Sequence, residues 1–339
     1  MNGAALFRRE QEAPAFAGIR GLLGEEMRPG YPVEYLYARL RGRRSLLIAN
    51  WKSLVYAPEL AEALASSPSP VVLQERTVEG LWRALFREYQ WVFAQMDEGL
   101  RRAFSPFFFH AELRNIFVCL RSIAGEDRNK PGGLLGASLL SVRIKRALQE
   151  EDRLQAVRQL ENILAAVSGR FRTISVVLSD KGPREMEQEL TSRTIAAILD
   201  EPLQPVMRQF FTRLVDSRNI LSLYASIRNG SADHSLFHGG GTIPVERLRE
   251  LQEKDDLFAV LALVKQAAGI AISDPDPTRI ETALYRGVTK FLKTEGRDPL
   301  GAALILDYLW RCSLEVTNLS LLLAGKDLER EIVMGELVQ

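Results

Sequence analysis

The chain is poor in the residues from which reactive centres are usually built. It has two cysteines, Cys119 and Cys312, in 339 residues. That count and spacing make neither a disulfide framework nor a CxxC metal or redox motif, and they fit a reducing compartment. There are three histidines, His110, His234 and His238. No Gly-x4-Gly-Lys-(Ser/Thr) loop occurs, so a phosphate-cradling nucleotide site has no support in the sequence. Neither sign of charge is in excess. The 44 Lys and Arg against 43 Asp and Glu leave a net charge of +1, too little for a global pull towards nucleic acid or an anionic membrane. Long hydrophobic runs are missing too. The longest, Leu257 to Ile272, is broken by Lys265 and falls short of the ~20 residues that span a bilayer. Arg8, Arg9, Glu10 and Glu12 lack a following apolar core, so the opening residues do not read as a secretory leader. The expectation is a cytoplasmic protein without metal, cofactor or transmembrane insertion.

What the chain does have is a repeated helical signature. Near the C-terminus, Asp298-Pro299 opens a mostly apolar stretch that ends at Gly325-Lys326. Asp and Pro suit a helix start, and Gly suits a left-handed stop. Inside it stand Trp310, Glu315, Asn318 and Leu319, spaced as aromatic-x4-acid-x2-Asn-apolar. The same spacing recurs in Phe107, Glu112, Asn115 and Ile116, and in Phe211, Asp216, Asn219 and Ile220. Each copy follows a proline (Pro106, Pro205, Pro299) and precedes a glycine (Gly125, Gly230, Gly325). Upstream of each lies a glutamate flanked by apolar residues: Glu79, Glu187 and Glu281. The period of about 100 residues is longer than that of solenoids and propellers.

With 46% hydrophobic and 26% charged residues, the composition is that of a soluble globular protein, and the length calls for two or three domains. The predicted fold is all-α, built of three similar helical domains. The predicted division is an irregular lead-in over 1–30, then repeats over 31–145, 146–265 and 266–339, the last packing with the N-terminal helix. One helix is expected from just after Tyr31 to about Leu54, with Tyr35, Leu36, Leu40, Leu46 and Leu47 available for burial. Another runs from Val78 to Ala103, ahead of a helix starting at Ser105-Pro106. Gly132-Gly133 reads as loop. Thr173 to Ser179, rich in β-branched residues, is the one plausible strand; alone it would be unstable, so it reads as helix or extended linker.

Acid, Asn and apolar residue at i, i+3 and i+4 share one helix face. A buried acid and amide must be satisfied by a neighbour, so they fix register more than they add stability. The upstream glutamate on the preceding helix is a natural neighbour in an antiparallel pair. Other motifs are weaker. His238-Gly239-Gly240-Gly241 has the look of an esterase oxyanion loop, but the Gly-x-Ser-x-Gly nucleophile elbow is missing. His234 and His238 beside Asp233 lie in a Gly/Ser loop, and the remaining histidine is distant, which argues against a metal site. Arg39, Arg41 and Arg43, with Arg44, form a basic helix face that is either solvated or available to an acidic partner.

Three stretches carry a family resemblance: DPLGAALILDYLWRCSLEVTNLSLLLAGKDLEREIVMGELV, ELRNIFVCLR, and DSRNI with FHGGGTIPVERLREL. Over residues 31 to 339 the chain resembles the C subunit of A/V-type rotary ATPases and ATP synthases, called d in eukaryotic V-ATPases. Tyr37-Ala38-Arg39-Leu40-Arg41 stands where that family often has Asn-Ala-Arg-Val-Arg, and Ser320 where an arginine is frequent. The resemblance implies three helical domains around a pseudo-threefold axis, forming a funnel. It further implies a non-catalytic central-stalk rotor subunit that couples the shaft subunits to the membrane proteolipid ring and transmits torque for proton or sodium transport. The alternative is a helical-repeat protein-binding scaffold unrelated to ATPases.

Overall fold

The computed structural model describes residues 18–72, 77–123, 130–230, 237–298 and 301–338. Among them the fold is all-α, with no β-strand and one isolated bridge between Leu23 and Leu140. After a 3-10 turn at Gly18–Leu22 come α1 (Val33–Arg44), α2 (Trp51–Val55), α3 (Leu60–Ala65), α4 (Val78–Gln95), α5 (Glu98–Ser122) and α6 (Lys130–Gly136). Next are α7 (Val142–Ala147), α8 (Arg153–Ala165), α9 (Ile174–Lys181), α10 (Pro183–Asp200) and α11 (Pro205–Asn229). The chain continues with α12 (Val245–Glu253), α13 (Leu257–Ala268), α14 (Pro277–Glu295), α15 (Ala303–Ala324) and α16 (Arg330–Glu336).

Two compact units divide the chain: one holds residues 1–28 and 98–201, the other 29–97 and 202–339. In the first unit α5 packs against the Gly18–Leu22 turn, α6, α8 and α10. That turn belongs to the core: Ile19 and Leu22 are buried, and the buried Arg20 donates from Nε to Glu98 at 3.1 Å. In the second unit α11 packs against α12, α13 and α14, while α15 packs against α1, α4 and α14. A single apolar cluster, from Ile220 to Leu284, joins α11 to α14 in that unit.

Local chemistry sets the helix ends. Thr77, Asp152, Asp256 and Asp276 each accept a first-turn backbone N–H, satisfying donors the helix itself cannot. Pro183, Pro205 and Pro277 occupy first-turn positions, where the missing N–H costs nothing. Gly230 ends α11 in the left-handed region at φ +60°; Gly125 and Pro299 lie outside the described residues.

Several expectations are corrected. The helix after Tyr31 stops at Arg44 because the Ile48 N–H leaves helical pairing to donate to Glu315 at 2.8 Å. Asn50 then caps a separate helix by accepting from Ser53 N at 3.0 Å. Tyr35 and Leu46 are exposed, not buried. The helix from Val78 ends at Gln95, whose carbonyl accepts from Tyr31 N at 3.0 Å. Gly30 makes that approach possible: at φ +84° it lies so close to Met96 O that a Cβ would collide with it. Pro106 does not start α5 but sits within it. It cannot donate to the carbonyl one turn back, and the hydroxyl of the preceding Ser105 donates to Arg101 O at 2.5 Å. Gly132-Gly133 lies in α6, not in a loop. One expectation holds: of helix or extended linker, the run after Thr173 is helix, Ile174–Lys181, because Glu161 on α8 accepts from both Thr173 N (2.7 Å) and Ser175 N (2.8 Å), capping it from outside. Finally α15 starts at Ala303, and Gly325 ends it at φ −92°, outside the left-handed region.

Two glycines make a contrasting pair. A Cβ on Gly287 of α14 would stand 2.5 Å from Ala268 Cα at the end of α13, whereas one on Gly42 of α1 meets nothing within 4 Å. Gly287→Ala is expected to destabilise the protein by about 2 kcal/mol through overpacking. Gly42→Ala should stabilise it by about 0.5–1 kcal/mol through helix propensity. Urea unfolding of both variants checks the signs; equal effects would contradict the packing argument.

Candidate functional site

The residues of the repeated signature are all buried, and each copy builds a polar station on one face of its long helix. On α5, Glu112 accepts from the Ser138 hydroxyl at 2.8 Å, from the Leu139 backbone N–H, and from Asn115 Nδ2 at 2.8 Å. On α11, Asp216 accepts from the Thr242 hydroxyl at 2.7 Å and the Ile243 N–H at 3.1 Å. Asn219 beside it closes a two-way clamp on His238, donating to its carbonyl at 2.8 Å and accepting from its N–H at 2.9 Å. On α15, Asn318 clamps Val338 the same way, at 2.8 and 3.0 Å.

The pattern is a hydroxyl plus the next backbone N–H on the acid, and an extended residue on the Asn. The third station shows why the pattern bends. Ser69 gives its hydroxyl to Glu315, but the next residue is Pro70, which has no N–H to donate. Ile48 supplies the missing donor at 2.8 Å. The first station bends in another way: Asn115 turns to Glu112, and its own Oδ1 has no partner.

The aromatic position of each copy packs edge-on against a ring. Phe107 meets Phe108 at 5.7 Å, Phe211 meets Phe210 at 5.3 Å, and Trp310 meets Phe210 at 5.6 Å and Tyr285 at 5.8 Å. Trp310 also donates from its indole to Thr289 Oγ1 at 3.0 Å.

The upstream glutamates are not the partners of these stations, a correction to the antiparallel pairing. Glu79 bonds Arg83 within α4 at 3.5 Å, and Glu187 of α10 takes Arg121 from the end of α5, with Nε at 2.7 Å. The helix carrying each upstream glutamate packs instead on the preceding copy's signature helix: α10 on α5, α14 on α11. For α15 that place is taken by α4, from the first copy.

The HGGG loop serves the second station. A Cβ on Gly241 would strike Asp216 Oδ1, so glycine lets the backbone lie against the carboxylate, and His238 is used through its backbone. Asp233 and His234 lie outside the described residues. Both cysteines are buried; burial pushes the Cys119 thiol up to about 12 and the Cys312 thiol well above its ordinary value. A thiol held protonated is a poor nucleophile.

The arginines of α1 have internal work. Arg43 lies 4.2 Å over the Trp91 ring, and its Nε donates to the buried Glu88 at 2.7 Å, which also accepts from Tyr308 at 2.6 Å. Arg39 stacks on the same ring at 4.7 Å and donates to Gln95 at 2.7 Å. Arg44 reaches Asp307 at 3.0 Å. Arg41 is exposed. Sequence reasoning found these arginines but missed Glu88, Asp307 and Trp91, which no motif marks.

Burial raises the Glu112 and Glu315 carboxyls to about 7 each, with the donors around them pulling the other way. A carboxyl that holds its proton more tightly when folded stabilises the fold at low pH, and that stability is lost as pH rises from about 4.5 through about 7. In Glu315→Gln the amide can still accept from Ile48 and donate to Ser69 without burying charge. The variant should gain on wild type between pH 5 and pH 8 by on the order of 3 kcal/mol. Urea midpoints across that range test this, and a constant difference would count against it. Separately, Asn318→Leu strands both the N–H and carbonyl of Val338 and should cost about 3 kcal/mol. Asn115→Leu, which breaks one bond, should cost less; the reverse order in thermal denaturation would reject the clamp.

Compared with curated proteins, the chain has no match. The family model for the ATP synthase (C/AC39) subunit matches residues 47–333, a span that takes in all three stations' acids and asparagines. The chain belongs to the ATP synthase (C/AC39) subunit family and is a V/A-type ATPase subunit.

Proposed function

We propose that the chain is a non-catalytic rotor subunit of the central stalk, joining the shaft subunits to the membrane proteolipid ring. In this reading it transmits torque for proton or sodium transport and sits on the cytoplasmic side, peripheral to the membrane. The three-domain division and the funnel that the family resemblance implies belong to the same proposal. The observation that carries it is the use made of the signature residues. Every acid and asparagine of the repeats is bonded to a loop, a hydroxyl or its own neighbour. Such groups hold a shape and leave no arrangement of base, nucleophile and oxyanion donors. Among the described residues no cluster of metal-ligating side chains occurs, and no helix is long and apolar enough to cross a membrane. The contribution is therefore read as mechanical. Arg41, exposed on the basic face of α1, is offered as a contact to an acidic group on shaft or ring.

The test is removal from the intact complex. Membranes lacking the chain should keep ATP hydrolysis by the catalytic head but lose ion pumping, and the tagged chain should co-purify with shaft and proteolipid subunits. Arg41→Glu should weaken that co-purification about tenfold, with circular dichroism checking that the variant folds. Ion pumping that survives removal would refute the coupling role, and a tagged chain that captures neither partner would refute the placement in the central stalk.

A further inference from the structure

A cavity of about 320 Å³ opens in the second unit between the Leu47–Trp51 segment, α14 and α15. Leu47, Trp51, Leu314 and Val338 give it apolar walls, and Lys293 and Arg311 bring cationic side chains to it. The charge there is unbalanced. Asp307, fully buried, is the only acid among the described residues bonded to Arg311, at 2.8 Å through Nε, and it also takes Arg44 at 3.0 Å. One carboxylate thus serves two guanidiniums and leaves a positive charge over. Lys293, one turn along α14 from Thr289, is exposed and adds a second. Glu315, the acid that lines the cavity, has its oxygens on Ile48 and Ser69 and, with its carboxyl raised to about 7 by burial, cancels at most one of these two positive charges. The Arg311 guanidinium engages Asp307 through Nε, so its terminal amino groups can serve a fork-shaped acceptor.

We infer that this cavity binds a small amphipathic carboxylate: an anionic head between Lys293 and Arg311, and a short apolar tail against Leu47, Trp51, Leu314 and Val338. The volume lies at the small end of ligand pockets and suits a molecule of this class rather than a drug-sized one. A charge buried beside apolar walls binds only if it is paired, and the surplus cations provide that pairing. The site is independent of the rotor role and stands or falls apart from it.

The test uses the full chain and titration calorimetry with octanoate, kept below its micelle concentration. Two reference probes accompany it: octanol, with the same tail and no charge, and inorganic phosphate, with charge and no tail. Octanoate should bind saturably at one site, at least tenfold tighter than either reference. Lys293→Met, at an exposed position of α14, should fold and is expected to weaken octanoate at least fivefold. Arg311→Gln should weaken it further, with circular dichroism checking its fold because Asp307 loses a partner. Equal affinity for octanoate and octanol would overturn the charged head. Phosphate binding as tightly as octanoate would overturn the apolar tail, and octanoate affinity unchanged in Lys293→Met would overturn the site itself.

Discussion

A carboxylate taken out of water must find donors or give up its charge, and this constraint organises the fold. Glu112, Asp216 and Glu315 are each buried on a long helix and each recruit a hydroxyl and a backbone N–H from a chain segment without regular structure. The demand fixes where those segments run. It explains why glycine stands at 241, where a side chain would collide with the acid, and why Ile48 leaves the helical path when Pro70 cannot donate. Paired groups of this kind add little net stability, but leaving one unpaired costs about 1–3 kcal/mol, so they select one register over its neighbours.

The helices themselves were readable because their residues recur with helical spacing, and the three signatures were readable because acid, asparagine and apolar residue share that spacing. Their partners were not. Ser138, Thr242 and Ser69 are ordinary hydroxyls in irregular segments, and Ser69 lies 246 residues from the carboxylate it serves. Nothing periodic points to them. The same limit explains the misplaced helix ends. Apolar and basic sequence continues through Leu46–Ile48, and no Gly or Pro interrupts the chain at Met96; in both places a distant group wins against local propensity: Glu315 draws off Ile48 N, and Tyr31 takes the carbonyl of Gln95. The β-branched run at Ile174 turned helical for a matching reason, since Glu161 supplies the cap that the local sequence lacks.

The basic face of α1 shows how composition misleads about surface. Four arginines in six residues, from Arg39 to Arg44, suggest a solvated or partner-facing stripe. Two of them stack on Trp91, and Arg43 and Arg44 neutralise the buried Glu88 and Asp307. Removing one partner of such a pair leaves a charge uncompensated in the interior, a loss of several kcal/mol. Arg39, Arg43 and Arg44 are therefore first a means of holding α1 against α4 and α15.

For a part proposed to carry torque, this arrangement has a mechanical consequence. Apolar contacts are non-directional and set register only through the fit of their shapes. A two-way amide clamp sets it directly: displacing Val338 or His238 by one residue strands both a donor and an acceptor in a buried setting. The second and third stations thus act as detents, shallow in total energy and steep in displacement. A rotor element needs little more than that. It must hold its shape under load without exceptional stability, and placing such detents on both α11 and α15 divides the resistance between two long helices.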